Sequence, residues 1–184
     1  MQEEKAKRET PEGNVAKNGK PLKFSRDRES DWTTKNDVAH FGLKEHASVD
    51  VLQGFVLATE ITPDSHHDSP YLPLCVAGSC HTEEPIKKVF AYKGYFGKPN
   101  REFLSLNNIA DGIMRKATVG AELTEYEKER NKAISKVRYI VEQYFGLSHL
   151  YNRAYRARFP KMLKNAMDAL FRQMVLISFG LPKY

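Results

Sequence analysis

The sequence predicts an α/β protein, a mixed sheet with flanking helices, on three observations. From Val38 onward apolar and polar residues alternate with a period of two, the spacing of a strand with one face in a core. Short apolar runs then alternate with segments of helical composition. Near the C-terminal end a long segment carries a helix start signal followed by apolar residues three and four apart.

Taken in order, residues 1–36 are rich in Lys, Glu, Arg, Asn, Gly and Pro, with Leu22, Phe24 and Trp32 scattered and no period of 2 or 3.6. They read as a disordered or loosely docked basic and polar arm, and residues 37–184 as the folded part. Phe41, Leu43, Ala47 and Val49 alternate with Gly42, Lys44, Ser48 and Asp50, with one break at Glu45. Gly54 turns the chain, and residues 55–61 form a second β-rich run ending at Pro63, so the pair is expected as an antiparallel hairpin. Residues 69–77 suit a short helix, with Pro70 and Pro73 confined to its first turns. Residues 88–91 read as a short strand, 99–106 as a helix and 112–114 as another strand.

Thr124 with Glu127 three residues later is a capping box, and it opens a long helix. Ala133, Ile134, Val137, Val141, Tyr144 and Phe145 should form its core-facing stripe. A last helix over residues 161–178 carries Met162, Ala166, Leu170, Met174 and Ile177 on one face, which is expected to pack inward.

Bulk properties narrow the class. Lys and Arg total 29 against 23 Asp and Glu, a net charge of +6, which favours polyanionic partners through counterion release. Residues 1–9 are charged throughout without an apolar core segment, so no secretory signal is read there and a cytoplasmic location is expected. The longest apolar run, residues 174–181, falls well short of the roughly 20 residues of a spanning helix, so no membrane partner is expected. Cys75 and Cys80 alone cannot make a four-ligand zinc site and read as ordinary small side chains.

The most informative tract is Lys93-Gly94-Tyr95 followed by Asn100-Arg101-Glu102-Phe103, then Arg138 and Glu142 one helical turn apart. With Asp111-Gly112-Ile113-Met114-Arg115-Lys116 and residues 127–131, it resembles the second half of the catalytic core of the insertion-sequence DDE transposases, the group that includes insertion sequences four and five. That resemblance implies a ribonuclease-H-like fold from its second strand onward. It also implies DNA transposition, in which two magnesium or manganese ions held by Asp, Asp and Glu drive strand cleavage and transfer.

Carried over position by position, Glu142 is the retained catalytic and metal-binding glutamate. Arg138 and His149 fall at phosphate-holding positions of the family's Tyr, Arg, Glu, Lys motif, whose first position here is Ser135. Where the family reads Tyr-Ala-Asp-Lys-Gly-Tyr, this chain reads Phe90-Ala91-Tyr92-Lys93-Gly94-Tyr95, so Tyr92 stands at the position of a metal-binding aspartate. A phenol with a pKa near 10 is neutral at pH 7 and cannot supply that charge. The strand bearing the family's first aspartate, central in its sheet, has no counterpart before Val38; residues 21–25 are the nearest stretch and hold no aspartate.

The reading is therefore a transposase-family protein, N-terminally truncated and catalytically inactive, with magnesium or manganese not bound productively. The alternative is a non-catalytic DNA-binding remnant, or a regulator that pairs with an intact transposase subunit. As residues alone, Arg138 and Glu142 also make an ordinary surface pair worth a few tenths of a kcal/mol.

Two further clusters enter the reading. Arg153, Arg156 and Arg158 alternate with Tyr151 and Tyr155 without an acidic residue between, a composition suited to DNA phosphate and stacking contacts. His46, Asp50, His66, His67 and Asp68 invite a metal-site reading, but they match family tracts outside the catalytic triad, so structural roles are expected for Asp50 and Asp68.

Overall fold

A computed structural model describes residues 27, 29–35, 37–81, 84–118 and 120–179. Among the described residues, five strands and four helices carry the fold: β1 (Asp31–Lys35), β2 (Val38–Val49), β3 (Val56–Pro63), α1 (Leu72–Gly78), β4 (Lys88–Ala91), α2 (Lys98–Leu106), β5 (Ala110–Ile113), α3 (Glu125–Asn152) and α4 (Met162–Phe179). From β2 onward this is the order read from the sequence. Strand β1 is the addition, because the end of the stretch read as an arm pairs with β2. Asp37 turns that hairpin at φ 61, a left-handed conformation that Asp tolerates better than most residues.

The described strands make two sheets. The first has the order β1-β2-β3 and is antiparallel; the second is a parallel pair, β4 with β5. In the hairpin of β2 and β3, Asp50 accepts from the backbone N–H groups of Leu52 and Gln53, and Gly54 takes φ 78. The aspartate thus holds a turn, as its sequence context suggested.

The core joins α1, α2 and the parallel pair through Leu72, Val76, Ala91, Leu104 and Ile113, with Val89 packed against them. Close approach of β4 and β5 depends on Gly112, where a Cβ would lie 2.5 Å from the Val89 carbonyl oxygen. On the opposite side lies α3, opened by the expected capping box: Thr124 Oγ1 accepts from the Glu127 N–H while Glu127 accepts from the Thr124 N–H. Arg130 donates to the carbonyls of Ile113 and Asp111, and Asn131 exchanges two hydrogen bonds with the Arg115 backbone. The two tracts quoted above, 111–116 and 127–131, therefore hold each other.

Two packing expectations are corrected. Ile134 and Tyr144 are buried in α3, but Ala133 is exposed. In α4 the predicted apolar stripe is displaced: Leu170 and Met174 are 56% and 62% exposed, whereas Asn165, Ala169 and Gln173 are buried. The reason is Glu45, the one break in the alternation of β2. Its carboxylate turns inward, accepts from the Tyr144 hydroxyl at 2.5 Å and from Arg172 at 2.7 Å, and Arg172 continues to Asp168. A charge placed there draws the polar side of α4 onto the sheet.

Among the described residues, no helix is long and apolar enough to cross a membrane.

Candidate functional site

The site is built where β4 ends. Tyr92 continues the strand in extended conformation, and Lys93–Tyr95 then fold into a single 3-10 turn. Three contacts force that turn. The Tyr95 hydroxyl sits 2.7 Å from His46 Nδ1, Asn100 Nδ2 donates to the Tyr95 carbonyl, and Gly94 passes so close to Asp68 that a Cβ would meet Oδ2 at 2.7 Å. Asp68 is fixed in turn by Lys44 at 2.7 Å. The Lys93-Gly94-Tyr95 and Asn100 signature is thus a packing knot that presents the side chains of Tyr92 and Lys93.

His46 is the centre of that knot and is almost fully enclosed. It lies 3.2 Å from Thr62 Oγ1 and stacks on the Tyr71 ring at 4.9 Å. Burial pulls its pKa down to about 4, so the imidazole is neutral near pH 7. Burial likewise raises the Tyr95 phenol above its ordinary value. His66 hydrogen-bonds the Tyr71 hydroxyl, and His67 Nδ1 accepts from the Ser69 N–H. Among the described residues, no three His, Cys, Asp or Glu side chains are grouped so as to hold a metal ion; Asp50 is engaged by the turn N–H groups and Asp68 by Lys44.

Above Tyr92 runs α3. The Arg138 guanidinium lies over the Tyr92 ring at 5.1 Å, and the Lys93 ammonium lies 5.3 Å from the same ring. Arg138 is only 15% exposed and donates to Glu142 Oε1 at 2.9 Å, while the glutamate side chain is 66% exposed. The structure therefore does bring together Tyr92, Arg138 and Glu142. The assembly is one carboxylate already engaged by a guanidinium, one neutral phenol and two cations, which does not fit a pair of divalent ions needing several hard anionic oxygens. What it can do is attract a polyanion, since Arg138 and Lys93 flank an exposed aromatic face.

The remaining candidate DNA-contact residues are placed elsewhere. His149 is exposed about 16 Å further along the axis of α3 than Arg138. Arg153 caps that helix at φ 52 and is exposed, as is Arg156. Arg158 is turned back to Asp168 and the Asn152 carbonyl, so it straps the chain after α3 onto α4. Arg156 and Tyr155 line a second cavity of about 540 Å³ together with His40 and Asp64. Sequence reasoning did not foresee the stacking of Arg138 on Tyr92; the signal for it was an aromatic residue in an extended position ahead of a helix arginine.

Comparison with known proteins gives these features a family. A family model described as a transposase DDE domain matches residues 12–175. The transposase for insertion sequence element IS1106 from Neisseria meningitidis serogroup B is 35% identical over 152 residues, covering 83% of this chain and 51% of that protein. The chain thus spans about half the length of that curated relative. No solved structure matches. With the family match running through both halves of the site, from Tyr92 to Glu142, the chain belongs to the transposase DDE domain family.

Proposed function

We propose that this chain is a partial, ribonuclease-H-like transposase domain that engages DNA without cutting or joining it. The observation that carries the reading is the pairing at the end of β4: a phenol, Tyr92, stands in the family's aspartate position, and the one carboxylate beside it, Glu142, is held by Arg138. A neutral side chain cannot replace an anionic ligand, and a carboxylate already neutralised by a guanidinium attracts a divalent cation weakly. Among the described residues, magnesium or manganese, the family's ions, would find a single engaged carboxylate beside Tyr92, and no catalytic step is derived through them.

Binding is retained in this reading. Lys93 at the site, with Arg153 and Arg156 beyond, offers cations to phosphate and His149 a further polar contact, while Arg138 and Arg158 contribute less because Glu142 and Asp168 occupy them. The substrate is transposon-end DNA, with an intact transposase subunit as the partner this chain would compete with or join. The partial domain takes in strand β1, Asp31–Lys35, as well as residues 37–184; the rest of the stretch read as an arm, residues 1–26, lies outside the described residues.

Two assays test it together. A nicking assay on DNA with magnesium or manganese should give no product, and product lost on Glu142→Gln would refute the claim of silence. A gel shift at low and moderate salt should show binding that falls steeply with salt, and weakening by Arg138→Ala; absence of binding at low salt would remove the DNA-binding half.

A further inference from the structure

We infer that the outward face of α4 is the seam through which two copies of this chain pair, their α4 helices antiparallel about a two-fold axis. Leu163, Met167, Leu170 and Met174 follow one another at spacings of four, three and four residues, the repeat of a helix-on-helix seam. Leu163 and Met167 are 72% and 49% exposed, Leu170 and Met174 more than half, and Phe171 beside them 62%. Side chains of these types ordinarily lie inside a protein.

The helix cannot turn to bury them, because its other face is fixed. Ala169 is fully buried, Gln173 donates to Thr59 Oγ1 at 2.6 Å, and Arg172 bridges Glu45 and Asp168. Asn165, buried one turn ahead of Ala169, donates to the carbonyls of Phe159 and Lys161. Rolling the stripe inward would break these contacts and leave a guanidinium unpaired. The sequence offers no matching segment to cover the stripe either. Residues 1–26 contain four large apolar side chains, Met1, Val15, Leu22 and Phe24, and no two of them are three or four residues apart. The five residues after Phe179 reach about 17 Å, short of the roughly 24 Å back along the helix to Leu163.

The stripe complements itself. With the two-fold axis passing between positions 168 and 169, Met167 opposes Leu170, Leu163 opposes Met174, and Phe171 comes over the small Ala166. Lys164 meets Gln173 and Asp168 meets Ala169, so no like charges face each other along residues 162–175. Opposed helix dipoles favour this direction over the parallel one. With Val175, the apolar side chains each bare on the order of 100 Å², which gives about 1,200 Å² over both copies, the lower bound of a specific interface. A seam of that size makes a reversible dimer. The pairing does not depend on the chain's binding DNA, and its test uses none.

Sedimentation velocity of the full chain from about 1 to 100 μM is that test. The mass should rise to twice that of one chain and no further. Met167→Glu and Leu170→Lys should each weaken pairing about a hundredfold or more, because either homodimer would seat two charges in the seam. Both positions are exposed, so far-UV circular dichroism should stay unchanged. Mixed in equal amounts, the two variants should pair again: the new carboxylate of one copy faces the new ammonium of the other, while the remaining leucine and methionine keep each other across the axis. Leu106→Lys, at a position 83% exposed elsewhere on the surface, should change nothing. A monomer throughout the range, growth beyond two copies, or a mixture of the variants that stays monomeric would overturn the inference.

Discussion

Lowering the pH should unfold this protein by a route that runs through His46. In the folded chain burial lowers its pKa to about 4 from a reference of 6.5, with Asp68 pulling the other way and Lys44 adding to the depression. The unfolded chain therefore binds the proton first. Stability is fully present above about pH 6.5 and is lost as the pH falls toward the folded value. Linkage over that interval gives a loss of about 1.4 kcal/mol at pH 5.5 and about 2.5 kcal/mol at pH 4.5. Against a typical total of about 5 to 15 kcal/mol, this is a large share. Urea denaturation followed by far-UV circular dichroism at neutral pH and at pH 4.5 measures it. His46→Gln lowers stability at neutral pH by removing the stack on Tyr71, but the pH-dependent part of the loss should shrink by most of the 2.5 kcal/mol. Equal pH-dependent losses in both proteins would refute the reasoning.

Two substitutions probe the frame that presents the site. Gly112→Ala drives a Cβ into the Val89 carbonyl, which the parallel ladder cannot move aside, and should cost about 1 to 3 kcal/mol by chemical denaturation; Gly42→Ala, with nothing within 4 Å, is the matched control and should cost far less. Tyr144→Phe removes the hydroxyl that donates to the inward carboxylate of Glu45 and should cost about 1 to 3 kcal/mol, read as a lowered thermal midpoint.

Where local signals agreed with the tertiary setting, the sequence was readable. Thr124 and Glu127 declare the start of α3 because a capping box is satisfied within four residues, whatever packs nearby. The hairpin of β2 and β3 was readable for the same reason, since its period of two and the turn at Asp50 to Gly54 are local. Strand β1 was not, because Asp31, Thr33 and Thr34 have no apolar period and become a strand only by pairing with β2. The seating of α4 was misread because one distant carboxylate, Glu45, reverses which side of that helix faces inward. At the site, Tyr92, Arg138 and Glu142 were recognised by motif and helical spacing and do converge. The engagement of Arg158 by Asp168 could not be read from the sequence, since ten residues of chain separate the two side chains.

The inward chain of charges from Glu45 through Arg172 to Asp168 has a bearing on how α4 is registered. Greasy surfaces slide over one another at little cost, and a helix whose Leu170 and Met174 look outward has few such contacts to lose by shifting a turn. A shift of one turn would, however, strand a guanidinium and two carboxylates without mates in a poorly hydrated space. The terminal helix therefore has one seat, chosen by electrical matching rather than by oiliness.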